Sequence, residues 1–241
     1  MKVYSKTDVG RKRTANQDSF YTGKFDNGAV FAVVCDGMGG AKGGNIASEK
    51  ATTLISQYIV RSYSPKMNST AVENLLRGAI DSANAEVYAL SHSDTMYEGM
   101  GTTAVVALVV DNLAHIVHVG DSRAYFISSD GIEQITNDHS MVQTMVNNGE
   151  ISREEARTHP KKNIITRAIG AEKTVMCDYN IVLKTDNASV LLCTDGLSNH
   201  LDEKLIYDVV RNTDAELCVS KLIEAANEAG GSDNITAVLI Y

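Results

Sequence analysis

Short apolar runs of strand length constrain the fold of this chain more than any other feature of its sequence. Eight segments either alternate apolar with polar residues or are rich in β-branched residues, and they are Val3–Thr7, Ala29–Cys35, Thr102–Val110, Ala114–Val119, Arg123–Ile127, Val175–Leu183, Ser189–Cys193 and Asn234–Tyr241. Segments of this kind predict β-strands. The longest apolar runs fall far short of the ~20 residues that a membrane-spanning helix needs, so we expect no insertion into a membrane.

Helical patterns accompany these strands in pairs. Apolar residues recur at intervals of three and four over residues 46–59 and again over residues 75–90. The stretch Thr70–Glu73 has the form of a capping box and predicts the start of the second helix. Two more helices are predicted over Asp202–Arg211 and Ala215–Ala229. Because the helices come in pairs rather than in strict alternation with the strands, the pattern predicts an α+β fold of antiparallel sheets covered by helices.

One polar segment differs from the rest of the chain. The sequence from Asp138 to Lys162 is weakly helical and ends near His159-Pro160, and we interpret about residues 138–165 as a mobile flap. No Pro-rich hinge marks a domain boundary, since the chain has only two prolines. With 241 residues, we expect one domain that covers residues 1–241.

Charge and cysteine content narrow the class of protein. The chain has 22 lysine and arginine residues against 30 aspartate and glutamate residues, and its formal charge of −8 argues against nucleic-acid binding. Its four cysteines form no C-x-x-C pair and are expected to be reduced and buried, and they are Cys35, Cys177, Cys193 and Cys218. The N-terminus has no apolar stretch of the secretory type, so a cytoplasmic protein is expected.

Four aspartates stand beside glycine or asparagine where strand-like runs end or begin, and they are Asp36, Asp121, Asp195 and Asp233. Any one of them alone is most simply a turn former. Together they can converge at one edge of a sandwich, where unpaired carboxylates repel one another and divalent cations relieve the repulsion. An all-oxygen set without a nearby histidine or cysteine cluster favours Mg²⁺ or Mn²⁺ over Zn²⁺ or Cu²⁺. Two such ions that share a carboxylate suit phosphate-ester hydrolysis.

A site for phosphate esters also needs a fixed cation. The basic segment Arg11–Arg13 offers one shortly before a further acid, Asp18, and arginine presents a bidentate fork to phosphate. By itself such a segment is more often a solvated surface. The acids that accompany it favour a role in phosphate binding.

Six short motifs occur in a fixed order along the chain, and they are Arg13–Asp18 (RTANQD), Asp36–Gly40 (DGMGG), Gly101–Thr103 (GTT), Gly120–Arg123 (GDSR), Thr194–Gly196 (TDG) and Gly231–Asn234 (GSDN). With this set the chain resembles the metal-dependent protein phosphatases of the phosphatase 2C type, in their compact bacterial form. The resemblance covers essentially all 241 residues. It implies a four-layer αββα sandwich of two mainly antiparallel sheets flanked by helices. It also implies a binuclear Mn²⁺ or Mg²⁺ centre at one edge that hydrolyses phosphoserine and phosphothreonine in proteins.

The resemblance assigns roles to the residues that match its motifs. Asp36 is expected to bridge the two ions, Gly37 to offer its carbonyl group to one, and Asp195 and Asp233 to bind the other. Asp18 is expected to act through a metal-bound water. On this basis a hydroxide held between the two ions attacks phosphorus in line, with no covalent phosphoenzyme.

Two further assignments follow from the resemblance. Asp121, together with Asp195, matches the position that holds a third, weaker ion in bacterial members of the family. Arg13 matches the phosphate-binding arginine and is expected to serve both substrate binding and catalysis. The expected partners are phosphorylated proteins, including a bacterial Ser/Thr protein kinase and its substrates, and the chain is expected to be a monomer.

The chain also departs from its relatives. Many of them carry a histidine just after the Asp-Gly pair or just after the final Gly-Gly, and these positions hold Met38 and Ala41 here. The proton for the leaving alkoxide then comes from a metal-bound water, from a flap group such as His139, or from no group at all. Gln17 stands where many relatives have glutamate, which removes one charge near the metal ions.

Other classes of protein fit the sequence less well. The dinucleotide-binding pattern G-x-G-x-x-G fails at Lys42, and no P-loop string is present. A serine-hydrolase elbow fails because His200 replaces its second glycine. The remaining alternative is a catalytically silent phosphatase-like module that binds a phosphoprotein. It is disfavoured because the three principal expected metal-binding aspartates, Asp36, Asp195 and Asp233, are all present.

Overall fold

The computed structural model of the protein describes residues 1–185 and 187–241, and for residues 40–42 it describes the backbone only. The side chains of Ala41 and Lys42 therefore lie outside the described part. In chain order the elements are β1 (Val3–Asp8), β2 (Asp18–Lys24), β3 (Val30–Met38), α1 (Gly40–Ser62), α2 (Ser69–Ser91), a 3₁₀ turn (Thr95–Tyr97), β4 (Gly101–Thr102), β5 (Ala104–Val110), β6 (Leu113–Val119), β7 (Arg123–Ser128), β8 (Gly131–Gln134), α3 (Met141–Asn147), α4 (Arg153–Thr158), β9 (Asp178–Leu183), β10 (Ser189–Cys193), α5 (Asp195–Ser198), α6 (Glu203–Asn212), α7 (Ala215–Glu228) and β11 (Ile235–Ile240).

Two antiparallel sheets form the centre of the molecule. One has the strand order β1-β11-β10-β7-β8, and the other has the order β2-β3-β5-β6-β9, with β4 paired to β3. Helices α6 and α7 pack on the first sheet and α1 and α2 on the second, while a separate apolar cluster fills the space between the sheets. This arrangement confirms the expected α+β fold, an αββα sandwich. None of the helices in the described part of the chain combines the length and apolar character needed to cross a bilayer.

Strand β3 shows how this layering produces a continuous apolar run. Ala32 and Val34 lie in the cluster between the sheets, whereas Val33 and Cys35 lie in the cluster beneath the helices. Because both faces of the strand are buried, apolar residues occupy successive positions instead of alternate ones. The strand ends at Met38 and delivers Asp36 to the end of the sandwich.

Two edge strands were not predicted from the sequence. Strands β2 and β8 lie at the edges of their sheets, and neither contains a run of β-branched apolar residues. Each is defined by pairing with one neighbouring strand rather than by its own composition. This matters for β2, because its pairing with β3 places Asp18 opposite Asp36.

The start of helix α2 also differs from the prediction. The helix begins at Ser69, and the side chain of Asn68 caps it by accepting a hydrogen bond of 2.9 Å from the backbone of Ala71. The predicted capping box at Thr70–Glu73 is therefore wrong. The Glu73 carboxylate instead forms an ion pair of 2.8 Å with Arg77 one turn further on.

The segment predicted as a flap lies between β8 and β9 and contains the short helices α3 and α4. Ser140 caps α3, and Ser152 forms a reciprocal capping box with Glu155 at the start of α4. Side-chain caps of this kind stabilise helices that the polar composition alone would not favour. An isolated bridge between Thr102 and Ile169 joins the chain after the flap to the sandwich.

Candidate metal centre

A cavity of about 570 Å³ opens at the end of the sandwich where β3 and β10 finish. Four acidic side chains line it, and they are the strand-end aspartates Asp36, Asp121, Asp195 and Asp233. Gly37 and Arg13 line it as well, and the flap contributes Asn163 and Ile165. The fold thus brings together six of the seven site residues predicted from the sequence. The seventh, Asp18, lies across the β2–β3 pair from Asp36 and does not form part of the cavity lining.

The backbone around Asp36 is held on both sides. Its N–H group donates to the hydroxyl of Thr103 at 3.0 Å, and its carbonyl oxygen accepts from the Thr102 hydroxyl at 2.8 Å and from the Thr103 backbone at 2.9 Å. These bonds come from the chain just before β5. They fix the end of β3 and therefore the direction in which the Asp36 side chain enters the cavity.

Two glycines permit close packing of backbone beside the aspartates. A Cβ atom on Gly37 would collide with the carbonyl oxygen of Gly44, and a Cβ atom on Gly196 would collide with that of Asn234. Neither position needs a left-handed backbone, so the reason for glycine is space. The pairs Asp36-Gly37 and Asp195-Gly196 thus mark places where the backbone packs too closely for any side chain.

Asp18 is anchored by two threonines to which the sequence pattern assigned no role. The hydroxyl groups of Thr194 and Thr236 donate to its Oδ2 atom at 2.9 Å and 2.7 Å. Thr194 belongs to the Thr-Asp-Gly motif, which was a signal in the sequence, whereas Thr236 lies in the apolar strand β11 and left none. The two strands β10 and β11 are neighbours, so their register brings both hydroxyls to one carboxylate.

Two carboxylate oxygens nearby have no hydrogen-bond partner among the described residues. Among the described residues, no group donates to Oδ1 of Asp18 or to Oδ1 of Asp195, although both atoms are buried. A buried carboxylate oxygen without a donor is costly. Oxygen ligation of a hard divalent cation would satisfy both atoms, so the residues present fit Mn²⁺ or Mg²⁺.

Burial, together with repulsion between neighbouring charges, raises the pKa values of four of these carboxyl groups, those of Asp18, Asp36, Asp121 and Asp195. Removal from water raises the pKa of Asp18 to about 7, and the charges of Asp195 and Asp233 act in the same direction. Removal from water also raises the pKa of Asp121 to about 8, with Asp195 as the next cause. For Asp36 and Asp195 the pKa is raised by the same two effects, desolvation and repulsion. Bound cations would oppose both effects.

Arg13 provides the positive charge of the cavity wall. Its Nη2 atom donates to Oδ2 of Asp233 at 2.9 Å, and about half of its side chain (52%) is exposed. This bond and the charge of Asp233 raise the pKa of Arg13, so the guanidinium is charged throughout the physiological range. A charged, half-exposed guanidinium at the rim of an acidic cavity can reach an incoming phosphate group.

The loop that carries Arg13 is held by Asn234, a residue present in the sequence motifs but assigned no role there. The Asn234 amide donates to the carbonyl groups of Val9 and Ala15, each at 2.9 Å, and accepts from the backbone of Gln17 at 2.8 Å. The residue is buried, with 5% of its surface exposed. One side chain thus fixes both ends of the segment that contains Arg13.

His139, one of the alternatives that the sequence left open for supplying a proton, does not reach the cavity. Its side chain is 4% exposed, and its Nδ1 and Nε2 atoms lie 3.1 Å from the Gly120 nitrogen and 3.2 Å from the Asp178 carboxylate. Burial lowers the pKa of His139 to about 4. The ring is therefore neutral at physiological pH, and its two nitrogen atoms are engaged by Gly120 and Asp178 rather than by the aspartates of the cavity.

The sequence is similar to a known family and to individual proteins along almost its whole length. A family model described as protein phosphatase 2C matches residues 9–239. Protein phosphatase PhpP of Streptococcus pneumoniae is 38% identical over 244 residues, which cover 100% of this chain and 97% of that protein. The similarity therefore extends over both chains and includes the cavity.

Solved structures are similar over the same extent. The serine/threonine phosphatase Stp1 from Staphylococcus aureus has a TM-score of 0.92 and 36% sequence identity, covering 98% of this chain and 93% of that one. The catalytic domain of the serine/threonine protein phosphatase PstP, in complex with two manganese ions, has a TM-score of 0.84 and 30% identity, covering 99% and 96%. At these identities the likeness concerns sequence as well as fold.

Proposed function

The chain belongs to the protein phosphatase 2C family of serine/threonine protein phosphatases, and on that premise we propose that it hydrolyses phosphoserine and phosphothreonine in proteins at the aspartate-lined cavity. The observation that carries the proposal is a group of crowded carboxylates with a half-exposed arginine beside them. Two of these carboxylates have a buried oxygen that bonds to none of the residues the structure describes. A phosphate monoester needs cationic partners for its oxygens, and this cavity has the groups to supply them.

The residues proposed to hold two Mn²⁺ or Mg²⁺ ions are Asp36, Gly37, Asp195 and Asp233, with Asp18 acting through a water molecule. Asp36 would be shared between the ions, consistent with its position at the end of a buried strand. When bound, the ions would lower the pKa of a water nucleophile toward neutrality and withdraw charge from the phosphoryl group. Asp121, with Asp195, would hold a third and weaker ion.

Arg13 is proposed to bind the substrate and to act in catalysis. Its guanidinium is fixed to Asp233 at 2.9 Å and faces the cavity. The hydrogen bonds of Asn234 hold the loop that carries Arg13, so phosphoryl oxygens can bind to the guanidinium in a fixed orientation. The same contact neutralises charge that builds up on those oxygens during transfer. None of the described residues that line the cavity is a histidine, so we assign proton supply for the leaving alkoxide to water rather than to a side chain.

Phosphorylated proteins are the proposed substrates, including a bacterial Ser/Thr protein kinase and its targets. The proposal takes residues 1–241 as one catalytic domain, acting as a cytoplasmic monomer. The action on phosphorylated proteins is supported by family membership and by the names of the relatives, which are bacterial protein phosphatases. A measurement of molar mass in solution tests the monomer directly.

The test of this function is phosphate release from a phosphothreonine peptide in Mn²⁺, in excess chelator, and in Mn²⁺ with Asp36→Asn. Asp81→Asn, the same substitution at an exposed position of α2, is the matched control. We expect release by the unmodified chain and by the control, and its loss with chelator and with Asp36→Asn. If the folded, Mn²⁺-loaded protein binds phosphopeptides but releases no phosphate from any of them, the catalytically silent module is the better account.

A further inference from the structure

A cluster of ionisable side chains lies beneath the flap, apart from the aspartate cavity. One ligand-type atom from each of His118, His139 and Asp178 lies within 4.8 Å of the others. A cation already occupies this place, because an Nη1 atom of Arg167 lies 2.8 Å from the Asp178 carboxylate and 3.1 Å from Nε2 of His139. The cluster is therefore better explained by the hydrogen bonds that His139 makes than by an additional metal ion.

His139 forms two hydrogen bonds with a single residue of the sandwich, Gly120. The backbone N–H of Gly120 donates to Nδ1 of His139 at 3.1 Å, and the backbone N–H of His139 donates to the carbonyl oxygen of Gly120 at 2.9 Å. Because Nδ1 accepts a hydrogen bond, the proton of the neutral ring is on Nε2, which faces Asp178. Gly120 has a φ angle of 102°, a left-handed conformation that only glycine adopts readily, so this turn benefits from external support.

The preceding residue, Asp138, binds the other end of the same turn, at Arg123. Its carboxylate accepts three contacts of 2.7 to 3.0 Å from the guanidinium of Arg123 and one of 2.9 Å from the amide of Gln134. The Asp138 side chain is buried, at 8% exposure. Arg123 and Gly120 stand on either side of Asp121, so two consecutive residues at the base of the flap hold both flanks of that aspartate.

We propose that Asp138 and His139 are positioning residues that fix the Gly120–Arg123 turn and thereby aim the carboxylate of Asp121 into the cavity. This inference rests on the proposed function only in taking Asp121 as a ligand of the weaker third ion. It gives the base of the flap a definite role, which is to hold the turn that carries Asp121. Neither positioning residue touches substrate.

Two amide substitutions separate the contacts of His139. In His139→Asn the Oδ1 atom can take the place of Nδ1 and still accept from Gly120, while the contact with Asp178 is lost. In His139→Gln the amide reaches the Nε2 position and keeps Asp178, but the acceptor for Gly120 is lost. His115→Asn is the matched control, because His115 lies on strand β6 and bonds to the hydroxyl of Tyr179 at 2.7 Å, a contact that does not include the turn.

The experiment counts bound Mn²⁺ from the electron paramagnetic resonance signal of the free ion during a titration, and follows phosphopeptide hydrolysis in parallel samples. Asp121→Asn defines the loss of the weakest site. We expect His139→Gln to raise the Mn²⁺ concentration that half-fills this site about tenfold, the effect of one lost hydrogen bond, with the tighter sites unchanged. His139→Asn should stay within about twofold of the unmodified chain, and Asp138→Asn should shift in the same direction as His139→Gln.

Equal Mn²⁺ titrations for the unmodified chain and His139→Gln would overturn the proposal, as would equal losses in the Asn and Gln variants. Should His139→Gln fail to fold, Asp138→Asn decides, because an unchanged weakest site in that variant also refutes the positioning role. The ion count does not depend on turnover. A chain that binds three ions but hydrolyses nothing would therefore contradict the proposed function while leaving the positioning role testable.

Discussion

Replacing Asn234 by alanine removes the hydrogen bonds that hold the loop with Arg13, and the structure allows the resulting loss of stability to be calculated. Three hydrogen bonds are lost, to the carbonyl groups of Val9 and Ala15 and from the backbone of Gln17. At a net contribution of about 0.5–1.5 kcal/mol each, the loss amounts to about 1.5–4.5 kcal/mol. Because the loop lies at the rim of the cavity and water can replace some of these bonds, we expect a fall of about 2–3 kcal/mol in the free energy of unfolding.

The loss of these hydrogen bonds should also slow the reaction of the substrate. With the loop free to move, Arg13 is no longer pre-oriented, and kcat/KM for a phosphopeptide should fall about tenfold through misplacement of the charged partner. Circular dichroism during urea unfolding, in chelator, gives the stability, and steady-state hydrolysis in Mn²⁺ gives the kinetic effect. The chain contains no tryptophan, so circular dichroism is the more suitable probe.

The control for this experiment is Asn147→Ala in α3, where the side chain makes one exposed hydrogen bond of 2.8 Å with Gln143. This variant should change the free energy of unfolding by less than about 0.5 kcal/mol. A fall below about 1 kcal/mol for Asn234→Ala, with an unchanged slope against urea, would refute the view that this side chain holds the loop.

Three further predictions concern charge and metal. Arg13→Ala should leave Mn²⁺ binding in place and lower kcat/KM about 10- to 150-fold, the value of a hydrogen bond between charged groups, as measured by calorimetry and initial rates; loss of Mn²⁺ binding would contradict it. Addition of Mn²⁺ at about 100 times its dissociation constant should stabilise the fold by about 2.7 kcal/mol, seen as a rise in Tm, and the rise should vanish in Asp36→Asn. In the metal-free protein the raised pKa values of Asp18, about 7, and Asp121, about 8, mean that these two groups bind more protons in the folded than in the unfolded chain, and together they outweigh the lowered pKa of His139, about 4. The free energy of unfolding should therefore fall as the pH rises from about 4 to about 8, with a shallower slope in Asp18→Asn; a free energy that rises over this range would show the carboxyl groups to be ionised.

The apolar strands illustrate what local sequence can predict. Strand β3 is buried on both faces, so its own residues identify it without reference to any neighbour. Edge strand β2 has one neighbour and a mixed composition, and only its register against β3 defines it. Helix α2 shows a limit of another kind, because Asn68 and Thr70 are both good cap residues and the local sequence does not decide between them.

In the candidate site, too, some features can be predicted from the local sequence and others depend on the tertiary structure. Asp36, Asp121, Asp195 and Asp233 could be singled out from the sequence because each follows or precedes a strand-like run beside a residue suited to a turn. Their acidic, all-oxygen chemistry could be predicted from residue type alone. The four share a cavity because antiparallel strands from distant parts of the chain end at the same edge of the sandwich.

The supporting residues were decided by tertiary structure alone. Thr236, Asn234 and His139 act through partners that are far away in the chain, such as Asp18, Val9 and Gly120. A side chain's type and its local pattern predict which element it joins and which chemistry it can perform. Which atom it bonds depends on strand register and on loop packing, and these are set by the burial of the whole core. The sequence by itself therefore determined the layered α+β architecture and the acidic chemistry of this protein, whereas the tertiary structure decided how the acids are held and which residues position them.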